Sequence, residues 1–393
     1  MDFPLGGDPD AFADAPLFRE LQRVMASSSG PVNWELARQI GIASAQEGRE
    51  DPAPSEADRH TFEEAARVAE LHVARFTGLE APSDVAEVRP VRRADWVNAN
   101  TESLRTLLEP AAQKIAAAMG EASRASIASI GEGLPPEMQA MGGLFEQLSP
   151  LLLGAQIGTV LGFLGQHVLG QYDVAVPRPG PGALLFVVPN IAQFERDWSL
   201  EATDFRTYVA LHEVTHRFEL ARPWARDRFQ ELLDDFLSTL RIDVGSMQER
   251  LATLDASDPD ALRSIMESEE DLFGTVLDDE QRLKLARIQA FMAAAEGYGD
   301  HVMHGVGAEL LPSYPRIQEA MRRYREGEAG DPVFERLLGI EMKREQYVQG
   351  RRFCDTVVEL TDELTLTRMW DAPEAMPSLP EIEEPRLWLA RSA

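Results

Sequence analysis

One pentapeptide constrains this chain more than any other feature: His212-Glu213-Val214-Thr215-His216. On an α-helix, residues four apart lie about 40° apart around the axis and one turn along it. Both imidazoles can therefore reach a single metal ion, while Glu213 points close to a water bound on that metal. A chance match on a surface helix is the alternative interpretation, and a third protein ligand would argue against it.

The sequence around the pentapeptide predicts a helix with a defined beginning and end. Thr203 or Asp204 can cap its start, because short polar side chains accept hydrogen bonds from the first free amides of a helix. Pro223 disfavours helical geometry at Arg222, so the helix should stop or bend there.

Composition limits the classes of function. A formal net charge of −28 argues against nucleic acid and against anionic membrane surfaces as partners. Cys354 is the only cysteine, which excludes an intrachain disulfide and suits a reducing compartment. The acidic N-terminus lacks the basic and apolar regions of a secretory signal. We therefore predict a cytoplasmic protein that has neither nucleic acid nor a membrane as a partner; its oligomeric state is unknown.

Helical periodicity and Pro/Gly breaks divide the chain into four parts. We predict a flexible lead-in over residues 1–30, a helical region over 31–145, a catalytic region over 146–370 and an extended tail over 371–393. The acidic run 267–280 is interpreted as a solvated loop and helix cap, with a calcium site as the alternative.

Residues 148–169 have the length of a membrane span and place Gly154, Gly158 and Gly162 in two G-x-x-x-G steps. Polar residues interrupt the apolar surface and basic flanks are missing, so a membrane span is disfavoured. The better interpretation is a core helix whose glycines allow close approach of a neighbour.

Two short β-prone runs, 172–176 and 184–188, flank a Pro/Gly turn. They predict a hairpin or two edge-paired strands. A strand beside the motif helix would allow an extended substrate to pair its backbone.

A catalytic zinc site needs a third protein ligand, and the best candidates lie in the stretch 293–305. Glu296 and Asp300 share one helical face, so Glu296 would bind the metal and Asp300 would accept a hydrogen bond from a ligating histidine. His301 competes for the ligand role, but it lies about 140° around the helix from Glu296. His304 and Tyr298 could donate to an oxyanion at the rim of a cleft.

These motifs resemble the gluzincin branch of zinc metallopeptidases, in which the third ligand is a glutamate. A longer resemblance is to an actinobacterial family of uncharacterised zincin-like hydrolases, some of whose members are associated with deazaflavin-coenzyme biosynthesis. The segments that carry it span most of the chain from Val32 onward: 33–41, 95–100, 169–177, 184–190, 211–219, 296–303 and 385–391. Gly299 departs from expectation, since alanine favours a helix more strongly.

The resemblance implies a mainly α fold with a small β-sheet or hairpin, organised as a zincin-like core. Zinc held by His212, His216 and Glu296 would activate a water molecule, and Glu213 would act as general base in the hydrolysis of a peptide bond. Two alternatives remain open: a catalytically degenerate zincin that serves as a binding or scaffold protein, and an amidohydrolase acting on a small metabolite.

Overall fold

The computed structural model describes residues 30–84, 87–130, 136–172, 183–239, 278–327 and 340–392. The secondary structure of these residues is mainly α-helical, as the periodicity predicts. The α-helices in chain order are α1 (Trp34–Gln46), α2 (Glu56–Thr77), α3 (Arg93–Ile130), α4 (Pro136–His167), α5 (Val188–Asp197), α6 (Ala202–Leu220), α7 (Pro223–Thr239), α8 (Asp279–Leu310), α9 (Tyr314–Gly327), α10 (Ile340–Leu360), α11 (Glu363–Thr367), α12 (Leu379–Glu383) and α13 (Pro385–Ser392).

Two strands, β1 (Val88–Val91) and β2 (Leu184–Val187), form a small parallel sheet. Val88 pairs with Leu184 and Val91 pairs with Val187. The second β-prone run is thus confirmed as a strand. Its partner is β1 and not the run 172–176, which lies mostly outside the described residues. A parallel pair requires a long connection, and here the intervening chain contains α3 and α4.

The described residues form two compact units. One contains the described residues up to Arg49 together with Val97–Gln166, and the other contains Glu50–Trp96 and the described residues from His167 onward. This grouping cuts across the predicted boundary between 145 and 146. The first unit is discontinuous in sequence, so composition shifts along the chain cannot reveal it.

In the first unit, α4 packs directly on the backbone of α1. A Cβ added at Gly154 would lie 2.5 Å from the Asn33 carbonyl oxygen, and one at Gly158 would lie 2.6 Å from the Ala37 carbonyl oxygen. The glycine steps therefore permit close helix packing in a folded core. No helix among the described residues is both long and apolar enough to span a membrane.

In the second unit, α6 is surrounded by other helices. α2 and α8 both pack along it, and α10 lies along α8. The Asp278 side chain caps α8 by accepting from the Gln281 amide, as the acidic run predicts. The rest of that run, 267–277, falls outside the described residues.

The C-terminal segment is not extended as predicted. It forms two short 3₁₀ turns, Arg368–Trp370 and Pro373–Ala375, followed by α12 and α13. Pro385 begins α13, a position at which the missing amide of proline costs nothing. Three of the four prolines in this segment, Pro373, Pro380 and Pro385, thus lie in the first turn of a helix or a 3₁₀ turn.

Candidate metal centre

The pentapeptide lies in the second half of α6, as predicted. The helix begins after Glu201, whose side chain accepts a hydrogen bond from the Asp204 amide. The cap is therefore Glu201 and not Thr203 or Asp204, because the longer side chain still reaches the third amide of the helix. α6 ends at Leu220, and Pro223 begins the next helix.

The two motif histidines lie against each other on one side of α6. Their ring centroids are 4.6 Å apart and their planes are nearly perpendicular, at 85°. His216 is only 2% exposed, whereas His212 is partly exposed. The four-residue spacing thus brings both imidazoles to one place, with His216 on the inner side.

Glu213 is fully buried, and the backbone of a neighbouring segment holds its carboxylate. The amides of Gln171 and Tyr172 donate to its Oε2 at 2.7 and 2.9 Å. Gly170 packs beside the same carboxylate, so closely that an added Cβ would lie 2.2 Å from Oε1. The orientation of Glu213 is therefore fixed by main-chain atoms.

That backbone segment is itself tied to the small sheet. The Val187 amide donates to the Leu169 carbonyl oxygen at 2.9 Å, and Gly170 forms an antiparallel bridge with Phe186. The buried Trp96 indole donates to the Gly170 carbonyl oxygen at 3.0 Å. The sheet thus positions the amides that bind Glu213.

His216 has a carboxylate partner on its own helix. Its Nδ1 lies 2.8 Å from Oε2 of Glu219, and both side chains are essentially inaccessible to solvent. Residues three apart on a helix are neighbours on its surface, so the contact follows from local geometry.

Burial and the neighbouring carboxylates shift both groups of this pair. Burial opposes a charge on His216, but the charge and hydrogen bond of Glu219, with Glu296 and Glu213 nearby, raise the pKa of the imidazole to about 9. Burial raises the pKa of the Glu219 carboxyl to about 7, against the lowering effect of His216. A proton therefore competes with any metal ion for His216.

Glu296 lies on α8, fully buried and close enough to His216 for its charge to act on the imidazole. Gly299, one turn further along, faces the same ring. A Cβ there would lie 3.0 Å from Cε1 and 3.4 Å from Nε2 of His216. Glycine at this position, unexpected in a helix, therefore provides room for the imidazole.

His301 is directed away from this centre. Its Nδ1 lies 2.8 Å from Oδ1 of Asp355, and its Nε2 lies 3.0 Å from Oε1 of Glu363. Both ring nitrogens are thus engaged by carboxylates of α10 and α11.

Asp300 does not make the predicted contact with a motif histidine. Its Oδ2 accepts a hydrogen bond from Arg351 Nη1 at 2.8 Å. Asp300 shares a helical face with Glu296, but α10 covers that part of the face and supplies the arginine. The hydrogen bond expected from Asp300 is made by Glu219.

Tyr298 is buried, and its hydroxyl lies 3.3 Å from Oγ1 of Thr367. The Thr367 hydroxyl donates its single proton to the Thr77 carbonyl oxygen, so Tyr298 must donate to Thr367. Burial raises the pKa of the phenol far above its ordinary value. The proton of Tyr298 is therefore committed elsewhere and does not serve the predicted oxyanion role.

His304 is exposed, two turns beyond Glu296. Its Nδ1 lies 3.3 Å from the Tyr314 hydroxyl and 3.4 Å from Nε2 of Gln318. The structure does not bring His304 to the buried centre, because the helix carries it to the solvent side.

The donor chemistry of the centre fits zinc, which binds imidazole nitrogen and carboxylate oxygen. His216 Nε2 is buried and makes no hydrogen bond within the described residues, while its Nδ1 is held by Glu219. Across the described ranges, however, no three His, Cys, Asp or Glu side chains are gathered closely enough to form a complete metal cluster. The set of His212, His216 and Glu296 is therefore a proposal based on donor type and orientation.

Sequence reasoning missed two features of this centre. Glu219 follows His216 by three residues, and that spacing was a usable signal because it predicts contact on a helix. The amides of Gln171 and Tyr172 carry no such signal, since backbone groups of any sequence can bind a carboxylate.

Comparison with known proteins agrees with this architecture. The model of the zincin-like metallopeptidase family matches residues 32–389. A solved structure from Chloroflexus aurantiacus, described as a "putative hydrolase with a novel fold", is 31% identical, with a TM-score of 0.65 over 92% of this chain and 98% of that one. No curated protein sequence matches the chain. The chain belongs to the zincin-like metallopeptidase family.

Proposed function

We propose that this protein is a zinc-dependent hydrolase that cleaves a peptide bond, with Glu213 as general base. The observation that carries the proposal is the state of His216. One nitrogen of its buried ring is bonded to a carboxylate, and the other makes no hydrogen bond within the described residues. Leaving a buried polar atom without a partner costs about 1–3 kcal/mol, a cost that a metal ligand bond would remove.

In this proposal His212, His216 and Glu296 would hold the ion, which would supply a Lewis acid for the scissile carbonyl and the attacking water. Glu213 accepts the proton of that water and delivers it to the leaving amine. Because Oε2 already accepts two backbone amides, we assign the proton to Oε1. The amides of Gln171 and Tyr172 keep the carboxylate in one orientation during the transfer.

The oxyanion donor requires a new assignment, since Tyr298 and His304 lie elsewhere. Tyr172 is the best placed candidate, because its ring centroid lies 6.1 Å from that of His216. A phenolic hydroxyl can stabilise the negative charge that develops on a substrate oxygen.

The test replaces Glu213 by glutamine, which keeps the size of the side chain but cannot act as a base. Zinc content and thermal stability should stay near wild type, while turnover should fall by about 10²–10⁴-fold. The assay is a library of peptides and small amides read by mass spectrometry, with zinc-free protein as blank. Glu195→Gln is the matched control, since Glu195 is also buried but is paired with Arg206 outside the centre.

Equal turnover by wild type and Glu213→Gln would contradict the assigned mechanism.

One observation favours a second function, that of a zincin-like binding protein: Glu213 is fully buried and bonded to main chain. Full zinc occupancy without cleavage of any library member would favour this binding function over the hydrolase.

A further inference from the structure

Glu219 has no role in the hydrolytic step, yet it is fully buried and contacts a motif histidine. It lies on α6 three residues after His216, and it has no solvent-accessible surface. Its Oε2 lies 2.8 Å from His216 Nδ1, whereas its Oε1 makes no hydrogen bond within the described residues. Burying a carboxylate is costly, and an apolar residue of similar size would fill the space at less expense. Such a residue therefore calls for a functional explanation.

The tautomers of histidine suggest a function for Glu219. A neutral imidazole carries its proton on one nitrogen and a lone pair on the other, and only the lone pair can bind a metal. A carboxylate at Nδ1 accepts a hydrogen bond, so it holds the proton there and leaves the lone pair on Nε2. That nitrogen is the one that faces Gly299 on α8, the helix that also carries Glu296.

We propose that Glu219 is a positioning residue that fixes the Nδ1–H tautomer and the ring orientation of His216, and so prepares Nε2 to bind zinc. The sequence signature is thus H-E-x-x-H-x-x-E, with the last glutamate acting through the second histidine. This inference rests on the metal-binding part of the proposed function and is independent of hydrolysis.

The test uses two variants, because one could fail by misfolding. Glu219→Leu removes the acceptor, and we expect zinc affinity to fall by about 10–100-fold, the usual effect of losing such a partner. Glu219→Gln retains an amide oxygen that can accept from Nδ1–H, so its zinc affinity should lie between those of Glu219→Leu and wild type. Chelator competition measures the affinities without any substrate, and circular dichroism checks that each variant is folded.

Nitrogen NMR provides a readout that a merely structural role would not change. In metal-free wild type with ¹⁵N-labelled histidine, at alkaline pH where the ring is neutral, His216 should show the Nδ1–H tautomer. Glu219→Leu should shift the population toward Nε2–H, and Glu219→Gln should largely restore the wild-type signal. An unchanged tautomer in Glu219→Leu would overturn the proposal.

Two controls separate this role from a general effect of removing a carboxylate. Asp355→Asn alters an equivalent 2.8 Å bond to the other buried histidine, His301, and should leave zinc affinity unchanged. Asp300→Ala removes the partner of Arg351 and should weaken zinc binding less than Glu219→Leu.

If Asp300→Ala weakens zinc binding while both Glu219 variants bind normally, the proposal fails and Asp300 becomes the positioning residue. Zinc affinities that follow these expectations without cleavage of any library member would support this role and favour the binding function over hydrolysis.

Discussion

Two buried histidines of this protein are each bonded to carboxylates, but in different ways. His301 has both nitrogens engaged, by Asp355 and Glu363, whose side chains remain partly exposed. His216 has one nitrogen bonded to Glu219, which is fully buried, and its other nitrogen makes no hydrogen bond within the described residues. The first arrangement satisfies the ring completely, whereas the second leaves a donor atom that a metal can use.

The charges around the two rings also differ. Arg351 lies against Asp300 and Asp355, so a cation accompanies the carboxylates near His301. Around His216, the charges that act on the ring come from carboxylates. A cluster balanced by arginine suits a structural role, while a set of buried carboxylates around imidazole suits a divalent cation.

The largest expected effect distinguishes the two histidines by zinc affinity. His216→Ala should lower the affinity by several orders of magnitude, because it deletes a ligand, and Glu296→Ala should do nearly as much. His301→Ala should leave zinc binding intact. Elemental analysis and chelator competition measure this. Loss of zinc in His301→Ala, with retention in Glu296→Ala, would show that the third ligand is misassigned.

A smaller effect concerns zinc-linked stability. Zinc at about 100 times its dissociation constant should stabilise the fold by about 2.7 kcal/mol, because it binds the native state only. A chelator should remove this zinc-dependent stabilisation from wild type and from His301→Ala. The stability of His216→Ala should not change when the chelator is added. Thermal unfolding with and without chelator checks the prediction, and an equal response in all three proteins would contradict it.

The smallest effect is the pH dependence of the stability that His301 contributes through its contacts with Asp355 and Glu363. Burial opposes the charge on His301, but hydrogen bonds to Glu363 and Asp355 raise its pKa in the folded state. A raised pKa stabilises the fold below the unfolded-state value of about 6.5, and this stabilisation is lost as pH rises through the folded-state value. His301→Gln should therefore destabilise the protein more at pH 6 than at pH 9. Urea unfolding in the presence of chelator measures the difference, and a larger loss at pH 9 would refute it.

The helices were predictable because their signals are local. Ser55 and Gly78 flank α2 as an N-cap and a left-handed C-cap, so both ends of the helix could be located in advance. The pairing of β1 with β2 was missed, since β1 is short, contains Pro90 and pairs with a strand far along the chain. Nothing local distinguishes such a segment from a loop.

In the candidate centre, too, contacts within one helix were predictable from the sequence, whereas contacts between distant segments were not. Spacing within α6 predicted that His212 and His216 lie together, and their rings are in contact. The choice of Glu296 over His301 as the third ligand stays a prediction. The roles assigned to Tyr298 and Asp300 went wrong because a helical face gives a direction but not the identity of what covers it. Thr367 and Arg351, from distant parts of the sequence, take up the groups that would have served the centre.

Two glycines of α8, the helix that carries Glu296, determine how closely this helix packs against α10 and against His216. Gly297 meets α10, where an added Cβ would lie 2.1 Å from the carbonyl carbon of Gly350. Gly299, about 200° further around the axis, meets His216 on the opposite side. α8 is thus pressed between a main chain and an imidazole with no side chain as a spacer. These two glycines therefore set how closely α8 approaches its neighbours, although neither binds a metal. A methyl group at Gly297 would push α8 and α10 apart, and one at Gly299 would press on the His216 ring.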